Sequence, residues 1–317
     1  MKGWQFSKTG EPLKLIEQDD PRAAPGEVVI EIKATGLCHS DVGALVDPGW
    51  MKIIQKLPVI LGHEFAGVVA DVGAGVRDFQ RGDRVGVCPV AKTSGGSPGN
   101  HWDGGYATKA VAMAEDLVRI PDNVSFVQAA TGTDAGMTSY HAVMVVGRVT
   151  AGMKVGIIGL GGLGQLGARA AVIAGAEVYG CDINEAARAL GPSIGVRQMF
   201  TQVMEFKPLE LDVIIDFAGF GTTTADAILA VGPRGRVVQV GMGALEATID
   251  TGQLILKQVE LAGSMGGTVD DIRGVYDLFA SGKLDPKITT VSFDQIPEGL
   301  ERLKNHEVQG RLVAVLE

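Results

Sequence analysis

The chain has 317 residues, and its 28 Lys and Arg against 37 Asp and Glu leave a net charge of −9. Its length suits about two domains, and its acidity argues against nucleic acid or an anionic membrane as the main partner. Hydrophobic residues at 46% and charged residues at 21% describe a soluble globular chain, while three cysteines and an N-terminus without an apolar leader-like run point to a reducing, cytoplasmic setting.

Glycine is the excess: 45 residues, about twice ordinary usage, set singly between short runs of Val, Ile and Ala. In chain order, Val28–Ala34, Phe65–Val72 and Gly82–Val87 read as short strands between turn signals, as in an all-β barrel-like unit. Lys92–Gly104, rich in Gly, Ser, Pro and Asn, reads as an exposed loop. The pattern changes near residue 150. Strands at Lys154–Ile158, Glu177–Cys181, Asp212–Asp216 and Arg236–Val240 alternate with helical segments such as Gln165–Ala174, which predicts a parallel, doubly wound sheet. The tail from Ile288, ending in Gly310–Leu316, reads as strand and helix returning to the first unit. The expected division is therefore 1–149, 150–286 and 287–317.

Gly159-Leu160-Gly161-Gly162-Leu163-Gly164 is a GxGxxG that follows a strand and opens a helix, and Asp182 lies 18 residues beyond Gly164 at the end of the next strand. That context makes it a dinucleotide fingerprint. The first glycine allows a tight turn, the second lets backbone approach a pyrophosphate, and the third lets helix pack on strand; the pyrophosphate then meets free N–H groups at the helix start. Asp182 would accept from the adenosine ribose hydroxyls, and its charge favours NAD over NADP, with Arg188 the residue able to reverse that preference. The plainer alternative makes the glycines turn and packing residues and Asp182 a helix cap.

In the first part, Gly36-Leu37-Cys38-His39-Ser40-Asp41 and Gly62-His63-Glu64-Phe65-Ala66-Gly67 place a thiol and an imidazole 25 positions apart. The residues alone leave three readings open: zinc ligands, a nucleophile with its base, or two buried side chains.

With these two segments, Gly82-Asp83-Arg84-Val85, the fingerprint and Gly310-Arg311-Leu312-Val313 taken in order, the sequence resembles the zinc-containing medium-chain alcohol dehydrogenase family over nearly its whole length. The resemblance implies an α/β protein: a GroES-like β-barrel catalytic domain, closed by the C-terminal segment, plus a doubly wound Rossmann coenzyme domain, with the active-site cleft between them. It implies one catalytic zinc on Cys38 and His63, with Glu64 a nearby acid able to enter the coordination shell and Asp41 orienting a ligand. Ser40 takes the proton of the substrate alcohol, Thr138 packs on the nicotinamide, and His39 and Arg311 contact cofactor phosphates. A homodimer or homotetramer is implied as well, through a sheet edge around Val237–Val240 and Val259–Met265.

Three departures from the family pattern stand out. The lobe that often carries four cysteines and a structural zinc is reduced to Cys88–Tyr106 with a single cysteine, so that zinc is absent. The third ligand, commonly a cysteine four residues before the threonine, is Asp134; a carboxylate is an accepted zinc ligand and keeps the ligand charge unchanged, although Asp also favours the cap position of a helix starting at Ala135. The histidine that often completes a proton relay, five residues after the cysteine, is Gly43, with His101 a weak substitute. Trp50, Met51, Leu57 and Trp102 are candidate walls of an apolar pocket. The expected activity is interconversion of an alcohol and its aldehyde or ketone by hydride transfer with NAD(H). A zinc-free quinone or enone reductase of the same superfamily and a non-catalytic nucleotide-binding regulator are the competing readings.

Overall fold

The computed structural model describes residues 1–93 and 95–316. The chain divides into two compact units, Met1–Asp134 with Thr268–Glu317, and Ala135–Gly267. The first supplies β1 (Lys2–Phe6), β2 (Lys14–Glu17), β3 (Glu27–Leu37), β4 (Val59–Ile60), β5 (Glu64–Val72), β6 (Arg84–Val87), β7 (Lys109–Met113) and β8 (Leu117–Arg119). The second supplies β9 (Lys154–Ile158), β10 (Glu177–Cys181), β11 (Gln198–Phe200), β12 (Val213–Asp216), β13 (Arg236–Gln239) and β14 (Glu260–Gly263), after which β15 (Ile288–Ser292) and β16 (Arg311–Val315) return to the first.

The first unit is built on β3, an eleven-residue strand rich in β-branched residues. It pairs antiparallel with β5, β7 and β16, so the C-terminal strand β16 joins the same sheet. The order β15-β16-β3-β5-β6-β8 continues this sheet, and β2-β1-β4 forms a smaller one. Inward-facing Ile30, Ile32, Leu37, Ile60, Phe65 and Leu312 make one core. Arg84, from the Gly-Asp-Arg-Val motif, is structural: its guanidinium donates to the carbonyls of Pro121, Asp122 and Val124 and lies over the Phe126 ring at 4.8 Å. It thereby fixes the turn that leads into the helical run from Phe126.

The second unit is a parallel six-stranded sheet in the order β11-β10-β9-β12-β13-β14. β9 and β12 lie at its centre with apolar side chains on both faces, as parallel strands require. Alternate residues divide between two cores: Val155, Ile157, Val213 and Ile215 on one face, Ile158 and Ile214 on the other.

The structure corrects two expectations of placement. Val237–Val240 is not at a sheet edge, since β13 lies between β12 and β14; of the two segments it is Val259–Met265, with β14, that lies at an edge. A buried apolar run tells that a strand is covered on both faces but not where it ranks in the sheet. The 92–104 loop is only partly exposed, because Pro98, Gly99 and Gly104 are buried, the two glycines against the Gly62 turn.

Candidate active site

Cys38 follows β3 and caps the start of the helix His39–Val46, while His63 stands just before β5. The antiparallel pairing of β3 with β5, register Gly36↔Glu64, sets these two turns side by side. Asp134 comes from the helical run opened by Phe126, which Ser125 starts with a full capping box. Asp134 lies inside that continuous run, in the π-helical turn Gly132–Gly136, and so is not a helix cap. The wider turn is a common device for aiming a functional side chain.

One ligand atom each of Cys38, His63 and Asp134 falls within 4.8 Å of the others. His63 Nε2 is 3.3 Å from the Asp134 carboxylate and 3.4 Å from Ser40 Oγ. Its Nδ1 is 3.5 Å from Asp41 Oδ1, and the buried Asp41 accepts at Oδ2 a 2.6 Å hydrogen bond from the hydroxyl of Tyr106. Burial opposes a charge on His63, but the Asp41 charge and hydrogen bonds to Asp134, Asp41 and Cys38 outweigh it and hold its pKa well above the ordinary imidazole value.

Glu64 is completely buried against Arg311, whose guanidinium also donates to the Leu37 carbonyl. Its carboxylate fills the place a side chain at position 36 would take, an ideal Cβ on Gly36 meeting it at 2.2 Å, so Gly36 has to be glycine. Burial raises the Glu64 pKa to about 8 against the opposing charge of Arg311. His39 is exposed at the helix start, its ring stacked on His306 at 6.1 Å.

The missing relay histidine has a steric counterpart. A Cβ on Gly43 would sit 2.6 Å from the indole of Trp50, so the tryptophan occupies the space any side chain at position 43 needs. His101 is tied into its own loop, its Nδ1 accepting from the Ser97 N–H at 3.2 Å. Trp102 packs on Gly96, Met51 against the core of the first unit, and Leu57 is exposed. Cys88 and Cys181 are buried, and burial raises their thiols to about 11 and about 12.

In the second unit each fingerprint glycine has its own geometric reason. Gly159 has φ +82°. An ideal Cβ on Gly161 would meet nothing within 4 Å, which leaves open space beside the backbone, whereas one on Gly164 would lie 1.6 Å from the Gly159 carbonyl oxygen. Gly162 and Leu163 complete the turn into the helix Gly164–Ile173, and Leu163 O accepts from Ser139 Oγ at 2.9 Å. Thr138, next to that serine, is buried. Asp182 takes the Leu160 N–H at 2.7 Å and the Asn184 N–H at 2.8 Å, so it braces the glycine loop. Arg188 is turned to backbone, Nη1 donating to the carbonyls of Asp182 and Ile183.

Tyr106 and the π turn were not singled out in the sequence. The trace of the tyrosine there is the glycine pair Gly104-Gly105 before it.

Thiolate, imidazole and carboxylate fit zinc: bonds of about 2.0–2.3 Å bring tetrahedral ligands to within about 4 Å of one another, and two anionic ligands balance the dication. All three residues are partly rather than fully buried, as a site with one open position requires.

Comparison with known proteins agrees with this chemistry. Residues 24–122 match the alcohol dehydrogenase GroES-like domain and residues 162–281 the zinc-binding dehydrogenase domain. An alcohol dehydrogenase of Geobacillus stearothermophilus is 31% identical, with 100% of this chain and 99% of the relative covered. The acetophenone reductase of Geotrichum candidum in complex with NAD superposes with a TM-score of 0.92 at 29% identity, covering 99% of this chain and 97% of that one. A cobalt- and zinc-bound thermostable alcohol dehydrogenase of Pyrobaculum aerophilum gives a TM-score of 0.90 at 28% identity, covering 100% and 99%. The chain belongs to the zinc-containing medium-chain alcohol dehydrogenase family, whose NAD-dependent oxidoreductase chemistry its two units are equipped to carry out.

Proposed function

We propose a division of labour for this zinc- and NAD-dependent alcohol oxidoreductase, carried by one observation: Cys38, His63 and Asp134 bring three ligand atoms within 4.8 Å while the site stays partly open. These three residues would hold the zinc, which as a Lewis acid lowers the pKa of a substrate hydroxyl or polarises a carbonyl. Asp41 fixes His63 by its Nδ1, so that Nε2 faces the ligand cluster. Ser40, 3.4 Å from Nε2, holds the substrate hydroxyl proton and passes it outward, and with Gly43 in place of a histidine the relay beyond it ends in the cofactor ribose, water or another group. Glu64, kept beside the cluster by Arg311, is the acid reserve of the site.

In the second unit, Gly159–Gly164 and the start of the helix would take the pyrophosphate of NAD, Thr138 the nicotinamide face and Asp182 the ribose hydroxyls. NAD supplies the hydride exchange itself. His39 and Arg311 are assigned to cofactor phosphates on the family resemblance. The first unit is then the catalytic domain and the second the coenzyme domain.

The deciding experiment is metal content by elemental mass spectrometry on protein purified without chelator. About one zinc per chain, falling sharply in Asp134→Ala, is the expected result; no zinc and no rebinding would leave a zinc-free reductase acting on enones or quinones. We further place the protein in the cytoplasm and expect a homodimer or homotetramer joined at the β14 edge, where Ile255, Leu256, Leu261 and Met265 are exposed. Sedimentation of Leu261→Lys as a smaller species than the unaltered chain would support that edge. No helix among the described residues is long and apolar enough to cross a membrane.

A further inference from the structure

We infer that Tyr106 is a positioning residue for the metal site, acting through Asp41 on His63. The inference rests on the zinc-site reading above and adds to it a residue that touches neither metal nor substrate.

Three observations converge on it. Tyr106 is fully buried, yet its hydroxyl has a defined partner, donating to Asp41 Oδ2 at 2.6 Å. The other oxygen of the same carboxylate, Oδ1, faces His63 Nδ1 at 3.5 Å. A free carboxylate can rotate about its last bond and offer either oxygen to the ring. With Oδ2 engaged by the phenol, Oδ1 is left to the imidazole, which selects the tautomer with hydrogen on Nδ1 and the lone pair on Nε2. Nε2 is the nitrogen that faces Asp134 and Ser40.

The ring of Tyr106 also grips the turn that carries His63. A Cβ on Gly62 would lie 2.5 Å from Tyr106 Cδ1 and 2.8 Å from its backbone nitrogen, so one edge of the ring lies against the residue preceding the ligand. The Tyr106 N–H donates to the Leu61 carbonyl at 2.9 Å and the Gly105 N–H to the Gly62 carbonyl at 2.7 Å. Gly104 would clash with the Gly62 carbonyl oxygen at 2.0 Å if it carried a side chain. The segment Asp103-Gly104-Gly105-Tyr106 is therefore moulded to the His63 turn on one side and to Asp41 on the other. One phenol sets both the backbone position and the ring orientation of a single ligand.

The test measures zinc affinity of the metal-stripped chain by competition with a chromophoric chelator, for the unaltered protein, Tyr106→Phe, Asp41→Asn and the double variant. Tyr106→Phe keeps the ring and removes only the donor. It is expected to weaken zinc about tenfold, in the range for partners that orient a ligand, with little further loss when added to Asp41→Asn. Tyr106→Phe within twofold of the unaltered chain, or a full tenfold loss added on top of Asp41→Asn, would overturn the inference, the second because the hydroxyl would then act independently of Asp41. An unaltered chain that binds no zinc would instead overturn the metal-site reading and the inference with it. Should Tyr106→Phe not fold, 3-fluorotyrosine incorporation keeps the question open to fluorine NMR, with Tyr140, Tyr179 and Tyr276 replaced one at a time to assign the lines. The Tyr106 line is expected to move on zinc addition in the unaltered chain and to stay still in Asp41→Asn; a line that zinc leaves unmoved in both would overturn the inference.

Discussion

The two units build their binding sites by opposite means. The first gathers charged and polar side chains into a small volume: Asp41, Glu64 and Arg311 are each at most 5% exposed, and His63 and Asp134 lie beside them. The second works by leaving side chains out, with Gly159, Gly161 and Gly164 each serving a different backbone need. A site of buried charges is costly until its counter-ion arrives, because ions taken out of water must be paired. A site of bare backbone carries no such cost, and its donors are already aimed before any ligand comes. Metal loading should therefore change the stability of the first unit far more than cofactor binding changes the backbone of the second.

Substitutions can break this contrast at either end. The largest effect is expected for Gly164→Ala, whose methyl would lie 1.6 Å from the Gly159 carbonyl oxygen. Backbone has to move, and thermal unfolding should show a loss above about 3 kcal/mol or no folded protein. Arg311→Ala comes next. It strips the partner from completely buried Glu64 and should cost about 3–5 kcal/mol in urea unfolding of the metal-free chain. Asp134→Ala should lower zinc affinity by about a hundredfold or more, read by chelator competition, while leaving NADH binding to the second unit unchanged, since in the proposed site the carboxylate is one of three protein ligands.

The pH dependence sharpens the same comparison. In the metal-free chain His63 has a raised pKa, so its contribution to stability is complete below the ordinary imidazole value of about 6.5 and is lost as pH rises through the raised value. Zinc has the opposite trend, because it needs the imidazole neutral and displaces its proton on binding. The gap in melting temperature between zinc-loaded and metal-free protein should widen from about pH 6 to about pH 8. A gap that narrows would contradict the assignment of His63 as ligand. The smallest effect on stability is expected for Gly161→Ala. Nothing lies within 4 Å of the added methyl, so stability should stay within about 0.5 kcal/mol, while NADH fluorescence titration should show binding weakened about tenfold or more, because the methyl enters the space proposed for the pyrophosphate.

How far the sequence reveals these sites follows from the same difference. The fingerprint is local: strand, turn, helix and acid lie within Lys154–Asp182, and each glycine acts on its own backbone, so the motif is readable without neighbours. The first site draws on positions 38, 63 and 134, which only the β3–β5 register and a π turn bring together, and without the family resemblance those residues stayed ambiguous. Tyr106 was missed because its importance lies in what it touches, and nothing in its own neighbourhood names Asp41 or Gly62. The strand pattern of β13 was legible, but its rank between β12 and β14 was not, since hydrophobic runs encode burial and not strand order. The Gly-Asp-Arg-Val motif helped carry the resemblance, and its arginine proves to be a brace for the turn before Phe126.

The contact between Gly43 and Trp50 has a consequence for how the proposed proton path can change. Position 43 cannot accept any side chain while the indole stands 2.6 Å from where its Cβ would be. A histidine there is barred as a first step and becomes admissible only after the tryptophan has been replaced by something smaller. The two positions thus form an ordered pair: the route through Trp50 is open in one direction, and a library that varies residue 43 alone will recover glycine.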